Sequence, residues 1–167
     1  MLSDKKIVTI YSGNYYVSND PNVVIYTLLG SCIAVCLFDI RKGIGGMNHF
    51  MLPQQSPYSC RSNDSIPGWF GLDSLDLMIG QILKIGGSLS DLQAKIFGGA
   101  RVIENLELSS TNVPAANISF TLKYLKEKEI PVIAKDIGGC SGRKIFYCLE
   151  DHSVLVQRLE KELKSDG

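Results

Sequence analysis

Two apolar segments on either side of a short turn constrain the fold of this chain more than any other feature. Residues 32–38 (Cys-Ile-Ala-Val-Cys-Leu-Phe) form an unbroken apolar run of strand length, which is typical of a buried strand. Residues 44–51 predict a second strand, and residues 40–43 (Ile-Arg-Lys-Gly) predict the turn between the two. The chain is therefore expected to contain an antiparallel hairpin whose first strand is buried.

This hairpin would bring a cysteine close to one of the two histidines in the chain. Folding about residues 40–41 sets Cys32 opposite or nearly opposite His49, because positions equidistant from a turn face each other. A neighbouring imidazole is the usual means of making a thiolate nucleophile at neutral pH. A cysteine in an apolar strand is more often a small core residue, so these residues alone leave both interpretations open. The glycines at 45–46 are expected to leave open space near the sulfur for a substrate chain.

Composition limits the class of protein. The chain has 167 residues, of which 45% are hydrophobic and 20% charged, with a formal net charge of zero, and this fits one domain spanning residues 1–167. No basic surplus indicates a nucleic-acid binder, and no apolar run is long enough to insert into a membrane. The N-terminal residues lack the apolar stretch of a secretory signal, and five irregularly spaced cysteines favour reduced thiols. We therefore expect a cytoplasmic protein.

The cysteines and histidines form no recognisable metal-binding pattern. Cys32 and Cys36 on one strand would lie about 13 Å apart, at a rise of roughly 3.3 Å per residue, which is too far for one metal ion or a disulfide. Cys36, Cys140 and Cys148 are predicted to be packing or loop residues, and His152 a solvated turn residue. No metal and no organic cofactor is expected.

The remaining segments predict further strands and two helices. We infer an α/β fold, a layered sandwich with a mixed, largely antiparallel sheet core and two main helices. Gly30 suits a sharp bend that would leave backbone N–H groups near Cys32 free to bind an anion. Residues 53–67 form the longest loop pattern, which suits a lid or a substrate contact as well as plain surface. Strands are predicted over 6–10, 15–18, 22–28, 92–97, 130–135, 144–149 and 153–159, and helices over 73–85 and from 111 or 112 to about 128.

Two glycine-rich segments with a nearby arginine raise the hypothesis of phosphate loops. Residues 98–101 and 138–143 do not have the spacing of either common phosphate-binding pattern. Tight turns at the rim of an active site are the better interpretation. Docking of an acidic partner by Arg143 is a further hypothesis that the spacing does not support.

Long motifs in this chain resemble those of the CheD family, the chemoreceptor glutamine deamidases of bacterial chemotaxis. The segments TLLGSCIAVCLFD and GIGGMNHFMLP are similar to the family signature. The likeness continues at residues 94–100, around Asn117 and over residues 136–144. The resemblance implies a fold similar to that of toxin deamidases of the cytotoxic-necrotising type.

The resemblance also implies roles for particular residues. The catalytic cysteine of the family corresponds to Cys32 and the catalytic histidine to His49. A threonine implicated in the family is matched by Thr27, although ungapped alignment on the cysteine places that position at Tyr26. Thr27 could orient His49 or contact the substrate carbonyl.

The implied activity is hydrolysis of a glutamine carboxamide in a methyl-accepting chemotaxis receptor. Cys32 would attack the carboxamide while His49 holds the thiol proton in a thiolate–imidazolium pair. Backbone N–H groups at Gly30, Ser31 and Cys32, or the side chain of Asn48, are the candidate oxyanion donors. Methyl-ester hydrolysis is a chemically parallel second activity. The alternative function is a non-catalytic regulator that binds a CheC-type phosphatase or the receptors.

Overall fold

The computed structural model describes residues 2–51, 71–102 and 113–160. Within these ranges the chain forms nine strands and two α-helices. The strands are β1 (Lys6–Thr9), β2 (Tyr15–Ser18), β3 (Val23–Leu29), β4 (Ile33–Asp39), β5 (Ile44–Asn48), β6 (Leu92–Gly98), β7 (Val132–Ile137), β8 (Arg143–Cys148) and β9 (Val154–Arg158), and the helices are α1 (Gly71–Lys84) and α2 (Val113–Glu127). The loop predicted over 53–67 lies outside the described residues.

The strands form two mixed sheets. Sheet A has the order β1-β3-β8-β9, and sheet B has the order β2-β5-β4-β6-β7. In each sheet one pair of neighbours is parallel, β1 with β3 and β6 with β7, and the other pairs are antiparallel. The predicted α/β layered fold with a largely antiparallel core and two helices is confirmed. The implied likeness to toxin deamidases stays a prediction.

Strand β4 lies at the centre of the molecule, and all seven of its residues are buried. Alternate side chains point to opposite faces of a strand, so β4 contributes to two separate apolar layers. One layer joins sheet B to the helices, and the other joins sheet B to sheet A. In the first layer, alternate β4 side chains pack against the helices; this layer contains Ile33, Val35, Leu37, Leu75, Met78, Tyr124 and Leu125. In the second layer, the other β4 side chains pack toward sheet A; this layer contains Ala34, Cys36, Ile25, Met47 and Tyr147. This double burial explains why the segment has no polar alternation.

The hairpin formed by β4 and β5 has a register shifted by two residues from the predicted one. Asp39 pairs with Ile44, which centres the turn between Arg41 and Lys42. The Asp39 carboxylate accepts hydrogen bonds from the backbone N–H groups of Arg41 and Lys42, at 3.0 and 3.1 Å. Gly43 closes the turn with a φ of +64°, which favours glycine. These interactions stabilise a four-residue turn. Strand β5 also ends at Asn48, three residues earlier than expected.

Two connections between the sheets position the candidate site. Residues 10–14 lead from β1 in sheet A to β2 in sheet B, and residues 30–32 lead from β3 in sheet A to β4 in sheet B. His49 follows β5 directly, and its backbone pairs with the first connection. Cys32 is the last residue of the second connection. The topology therefore gathers the predicted residues where the chain passes between the layers.

Two expectations about packing are wrong. The glycines at 45–46 do not open space, since a Cβ atom on Gly45 would collide with Tyr147 Oη and one on Gly46 would lie 2.6 Å from Val17 Cγ2. His152 is not solvated, because only 3% of it is exposed and its ring stacks on Phe38 at a centroid distance of 4.7 Å. At Gly45 and at His152 the contact joins sheet A to sheet B, whereas at Gly46 it is with the neighbouring strand β2 of sheet B.

Other expectations concern the cysteines and the membrane. Cys36 is fully buried in the core between the sheets, Cys148 is partly buried at the end of β8, and Cys140 is exposed in a loop. These placements confirm the predicted packing and loop roles. Within the described ranges, neither helix is long and apolar enough to span a bilayer.

Candidate functional site

The connection that carries Cys32 is held against the end of β5. The N–H of Ile33 donates to the carbonyl of Phe50 at 3.0 Å, and the N–H of Phe50 donates to the carbonyl of Ile33 at 2.9 Å. Extending this register by one residue puts His49 opposite Ala34, with Cys32 as its diagonal neighbour on the same face. Diagonal neighbours of this kind are typically about 7–8 Å apart. Cys32 and His49 are therefore diagonal neighbours on one face of the strand pair and do not lie directly opposite each other.

His49 is fixed through both its backbone and its ring. Its N–H donates to the carbonyl of Asn14 at 3.0 Å, and its carbonyl accepts from the N–H of Gly13 at 2.8 Å. The ring Nδ1 lies 2.7 Å from the Oγ1 atom of Thr27. Only 6% of His49 is exposed. The imidazole is thus held in one orientation by the chain between β1 and β2 and by a threonine on β3.

The hydrogen bonds of Thr27 identify which nitrogen of His49 carries the proton. The Thr27 hydroxyl donates to the carbonyl oxygen of Ile10 at 2.8 Å. A hydroxyl has one proton and a carbonyl can only accept, so the contact with His49 must be an Nδ1–H donating to Thr27 Oγ1. The neutral ring consequently carries its lone pair on Nε2, the nitrogen that can accept a proton from a thiol.

The choice between Tyr26 and Thr27 has a geometric answer. Thr27 is fully buried and points between the sheets toward His49. Tyr26 immediately precedes Thr27 in β3 and faces the opposite side of sheet A, where its ring packs on Phe146 at a centroid distance of 4.9 Å. Thr27 is therefore the residue that can act on the histidine.

Burial opposes charge on both members of the pair. Burial raises the pKa of the Cys32 thiol, and a hydrogen bond from the Ser12 side chain lowers it in part. Burial lowers the pKa of His49 to about 4. No hydrogen bond joins the Cys32 sulfur to the His49 ring in this structure. Burial by itself therefore favours a neutral thiol and a neutral imidazole, and the thiolate–imidazolium pair stays a prediction.

Asn48 is not placed to act as an oxyanion donor. Its Oδ1 accepts from the N–H of Val35 at 2.9 Å, and its Nδ2 donates to Ser74 Oγ at 2.9 Å. The residue is fully buried and lies between β4 and α1, whereas the adjacent His49 faces sheet A. Successive residues of a strand point to opposite faces, so Asn48 and His49 cannot serve the same site. Asn48 instead ties α1 to the sheet.

The two glycine-rich segments form tight turns behind the Cys32 connection, as predicted. Gly98 has a φ of +109°, and a Cβ atom there would collide with the carbonyl oxygen of Cys32. Arg143 binds the turns together, since it donates to the carbonyls of Gly98 at 3.2 Å and Gly138 at 2.6 Å. Its side chain is only 1% exposed and also pairs with Asp136. The hypothesis that Arg143 docks an acidic partner is wrong, because the guanidinium is inside the protein.

Two residues near the site were given no role from the sequence, although Asn117 lies in a segment that resembles the family. Ser12 supplies the hydroxyl beside the Cys32 thiol, and Asn117 on α2 donates from Nδ2 to the carbonyl of Ser31 at 3.1 Å. Ser12 lies in an ordinary turn pattern, so nothing local marks it. Asn117 is fully buried within an amphipathic helix, and a polar residue at such a position is the pattern that could have identified it.

The described residues contain no cluster of three or more side chains able to bind a metal ion. A half-buried thiol, a histidine with a free Nε2 and a threonine that holds the histidine are the residue types of a cysteine-dependent hydrolase. The fold and this site thus define an α/β domain with a potential thiol nucleophile.

Comparison with known proteins identifies the family. Residues 51–158 match the sequence model of CheD, described as CheD chemotactic sensory transduction. "Probable chemoreceptor glutamine deamidase CheD 1" of Ruegeria sp. (strain TM1040) is 40% identical over 140 residues, which cover 84% of this chain and 70% of the relative. "Probable chemoreceptor glutamine deamidase CheD 2" of Shewanella oneidensis is 38% identical over 170 residues, which cover 98% of this chain and 83% of the relative. The chain belongs to the CheD family.

The family model begins after the candidate site, at residue 51. The Shewanella relative aligns with 98% of the chain, so that alignment includes the positions of Cys32 and His49. A relative of Dechloromonas aromatica with the same deamidase name is 40% identical and covers 91% of the chain. The similarity to these relatives therefore extends well beyond the segment matched by the family model.

Proposed function

We propose that this protein is a glutamine deamidase of chemotaxis receptors, converting glutamine side chains to glutamate with release of ammonia. Membership of the CheD family and the names of its relatives support this substrate class. The observation that carries the chemistry is the Thr27–His49 hydrogen bond, because it leaves Nε2 as a base on the face of β5 shared with Cys32. The proposed catalytic residues are Cys32, His49 and Thr27.

The first half of the reaction forms a thioester. The Cys32 sulfur attacks the carboxamide carbon while its proton moves to His49 Nε2, so that charge develops only during the attack. The backbone N–H groups of residues 30–32 stabilise the oxyanion. The C–N bond then breaks, and the nitrogen leaves as ammonia after taking the proton from His49. Thr27 keeps the ring in the orientation that serves both proton transfers.

The second half of the reaction uses water. His49 Nε2 accepts a proton from water as the oxygen attacks the thioester carbon. The C–S bond breaks, the sulfur regains a proton from His49, and glutamate is released. A glutamate methyl ester would follow the same steps with methanol as the leaving group, so methyl-ester hydrolysis is a second activity of the proposed site.

The product would act on the receptor through charge. Each new carboxylate adds a negative charge to a helix, and like charges on neighbouring helices repel each other. Deamidation would therefore alter helix packing in the receptor and create glutamates for reversible methylation. The reaction requires the protein to meet the cytoplasmic part of the receptor, so we propose that it acts in the cytoplasm.

Incubation with purified cytoplasmic fragments of receptors tests the proposal. We expect ammonia release over many turnovers and replacement of specific glutamines by glutamate, detected by mass spectrometry of peptides. The Cys32→Ala variant is the control for spontaneous deamidation.

A binding function predicts a different outcome of the same experiment. A regulator that binds receptors or a CheC-type phosphatase would protect Cys32 from alkylation in a stoichiometric complex and release no ammonia. That result with several receptor fragments from the same organism would contradict the deamidase proposal.

A further inference from the structure

The connection that carries Cys32 consists of residues 30–32, and all three of its carbonyl groups accept hydrogen bonds from the turn after β6 or from α2. The carbonyl of Gly30 accepts from the N–H of Ala100 at 3.1 Å, and the carbonyl of Cys32 accepts from the N–H of Gly99 at 2.9 Å. The carbonyl of Ser31 lies between them and accepts from Nδ2 of Asn117 at 3.1 Å. The turn after β6 therefore holds the outer two peptides, and a side chain of α2 holds the middle one.

The middle peptide determines where the N–H of Cys32 points. In a trans peptide the C=O and the following N–H point in opposite directions, and the described residues include no cis peptide. Fixing the carbonyl of Ser31 toward α2 therefore aims the N–H of Cys32 away from α2. Within the described ranges no residue accepts a hydrogen bond from this N–H. It is a fixed donor on the backbone of the nucleophile itself, where an oxyanion forms during attack.

The next peptide, between Cys32 and Ile33, has the same opposed directions, and both its carbonyl and its N–H have a hydrogen-bond partner. The carbonyl of Cys32 accepts from Gly99 on one side, and the following N–H, that of Ile33, donates to the carbonyl of Phe50 on the other side at 3.0 Å. The difference at the middle peptide is that its N–H has no acceptor among the described residues. The two peptides share one construction, and of the two only the middle one has an N–H that is available to a substrate as far as the described residues show.

From these contacts we infer that Asn117 is a positioning residue that orients the Cys32 N–H as an oxyanion donor. This inference rests on the proposed function. The amide is oriented with its nitrogen toward Ser31 because a carbonyl oxygen can only accept. Asn117 is fully buried, and Ile118 beside it packs against Gly99, where a Cβ atom would lie 2.7 Å from Ile118 Cδ1. Helix α2 thus fixes the connection through one directional bond and one apolar contact.

Two substitutions test the bond. Asn117→Leu removes the donor at similar volume, and we expect kcat for receptor fragments to fall roughly tenfold to hundredfold with little change in KM. Asn117→Asp removes the donor while its carboxyl is ionised and restores an O–H donor when the carboxyl is protonated. Burial favours the protonated form, so the activity of the Asp variant relative to wild type should rise as the pH falls from about 8 to about 5. Thr121→Val is the matched control, because Thr121 is buried one turn further along α2 and donates only to the carbonyl of Asn117 within the helix.

A second measurement separates this role from simple support of the fold and does not depend on the natural substrate. Propionaldehyde forms a hemithioacetal with a thiol, and its oxygen occupies the place of the oxyanion, whereas iodoacetamide alkylates the sulfur without forming one. We expect Asn117→Leu to weaken propionaldehyde binding roughly tenfold and to leave the alkylation rate within about twofold of wild type. Thermal unfolding confirms that each variant is folded.

Each outcome of these experiments decides the inference. Equal losses in aldehyde binding and alkylation, or a Thr121→Val variant as impaired as Asn117→Leu, would show that Asn117 only supports the fold. An Asp variant whose relative activity does not rise at low pH would also overturn the role of the donor. If wild-type protein releases no ammonia from any receptor fragment but the aldehyde result holds, the proposed function fails and the positioning role of Asn117 stands.

Discussion

The two histidines lie at opposite ends of β4 and have closely similar surroundings. Each is buried, each has a pKa lowered by that burial, and each has Nδ1 next to a hydroxyl, 2.7 Å from Thr27 for His49 and 2.8 Å from Tyr147 for His152. The difference lies in the hydroxyl. Thr27 gives its proton to the carbonyl of Ile10, whereas Tyr147 has no other acceptor among the described residues and can donate to His152.

This difference separates a candidate site from a structural contact. At His49 the ring must donate through Nδ1, so Nε2 is left as a base beside a half-buried cysteine. At His152 the tyrosine proton can satisfy Nδ1, and the ring is stacked on Phe38. A buried histidine with a hydroxyl partner is therefore not in itself a catalytic feature. The two ends of β4 differ in the group that accepts the hydroxyl proton, and the candidate nucleophile Cys32 lies at the end that carries His49.

The largest expected effect is that of removing the nucleophile. Cys32→Ala should lower deamidation by roughly 10⁴-fold or more, to the level of the control reaction without enzyme. The fold should be retained, because a small side chain replaces a half-buried thiol in a connection held by its backbone. Ammonia assays and circular dichroism measure the two effects, and an active alanine variant would remove Cys32 from the mechanism.

Substituting the two histidines in parallel tests the comparison directly. His49→Gln should lower kcat by roughly 10²-fold to 10⁴-fold, since no general base is left. His152→Gln should keep activity within about threefold and lower the melting temperature, because it removes a buried ring from the end of the sandwich. Equal activity losses in the two variants would mean that the asymmetry between the ends has no catalytic meaning.

The hydroxyl of Thr27 is the next target. Thr27→Val keeps the shape of the side chain but removes the partner of His49 Nδ1, so kcat should fall roughly tenfold to hundredfold. It also leaves the carbonyl of Ile10 without its donor, so the free energy of unfolding should fall by about 1–3 kcal/mol. Tyr26→Phe is the matched control on the outer face of sheet A and should be nearly silent. Steady-state kinetics and chemical denaturation measure both variants. A silent Thr27→Val with an impaired Tyr26→Phe would assign the role to Tyr26.

The pH dependence of stability reports on the buried ring of His49. Its pKa falls from the ordinary value of 6.5 to about 4 on folding, so the unfolded chain binds more protons between these values. Stability is therefore fully present above about pH 6.5 and is lost as the pH falls toward 4, by up to roughly 3 kcal/mol from this residue. The free energy of unfolding, measured by urea denaturation at several pH values in this range, should change less steeply with pH for His49→Gln than for the wild type. An unchanged slope would indicate that His49 titrates normally in the folded protein.

The smallest effect is expected at Ser12. Its hydroxyl lowers the pKa of the Cys32 thiol against the effect of burial, so Ser12→Ala should slow alkylation by iodoacetamide at neutral pH by about threefold. At high pH, where the thiolate forms in both proteins, the rates should converge. A constant difference at all pH values would mean that Ser12 affects access to the sulfur and not its ionisation.

Much of the fold was predicted from local sequence patterns, and the errors of that prediction have physical causes. The ends of most strands and helices were predicted to within two residues, because apolar periodicity and turn residues are local properties. The register of the β4–β5 hairpin was wrong by two residues, since the Asp39 bonds to the turn shift its centre by one residue. Open space at residues 45–46 and a solvated His152 were wrong because each depends on residues that are distant in sequence and pack against it in the folded protein.

The sequence alone determined that β4 is a buried strand, that two helices accompany a largely antiparallel core and, through its long motifs, that the chain resembles the CheD family. Apolar runs, turns and motifs are written in consecutive residues. Only the tertiary structure decided that Thr27 and not Tyr26 contacts His49, that Asn48 is committed to α1, and that Asn117 holds the peptide of Ser31. These relations join residues far apart in the chain, and each depends on one hydrogen bond whose partner only the packing of the two sheets and the helices can supply.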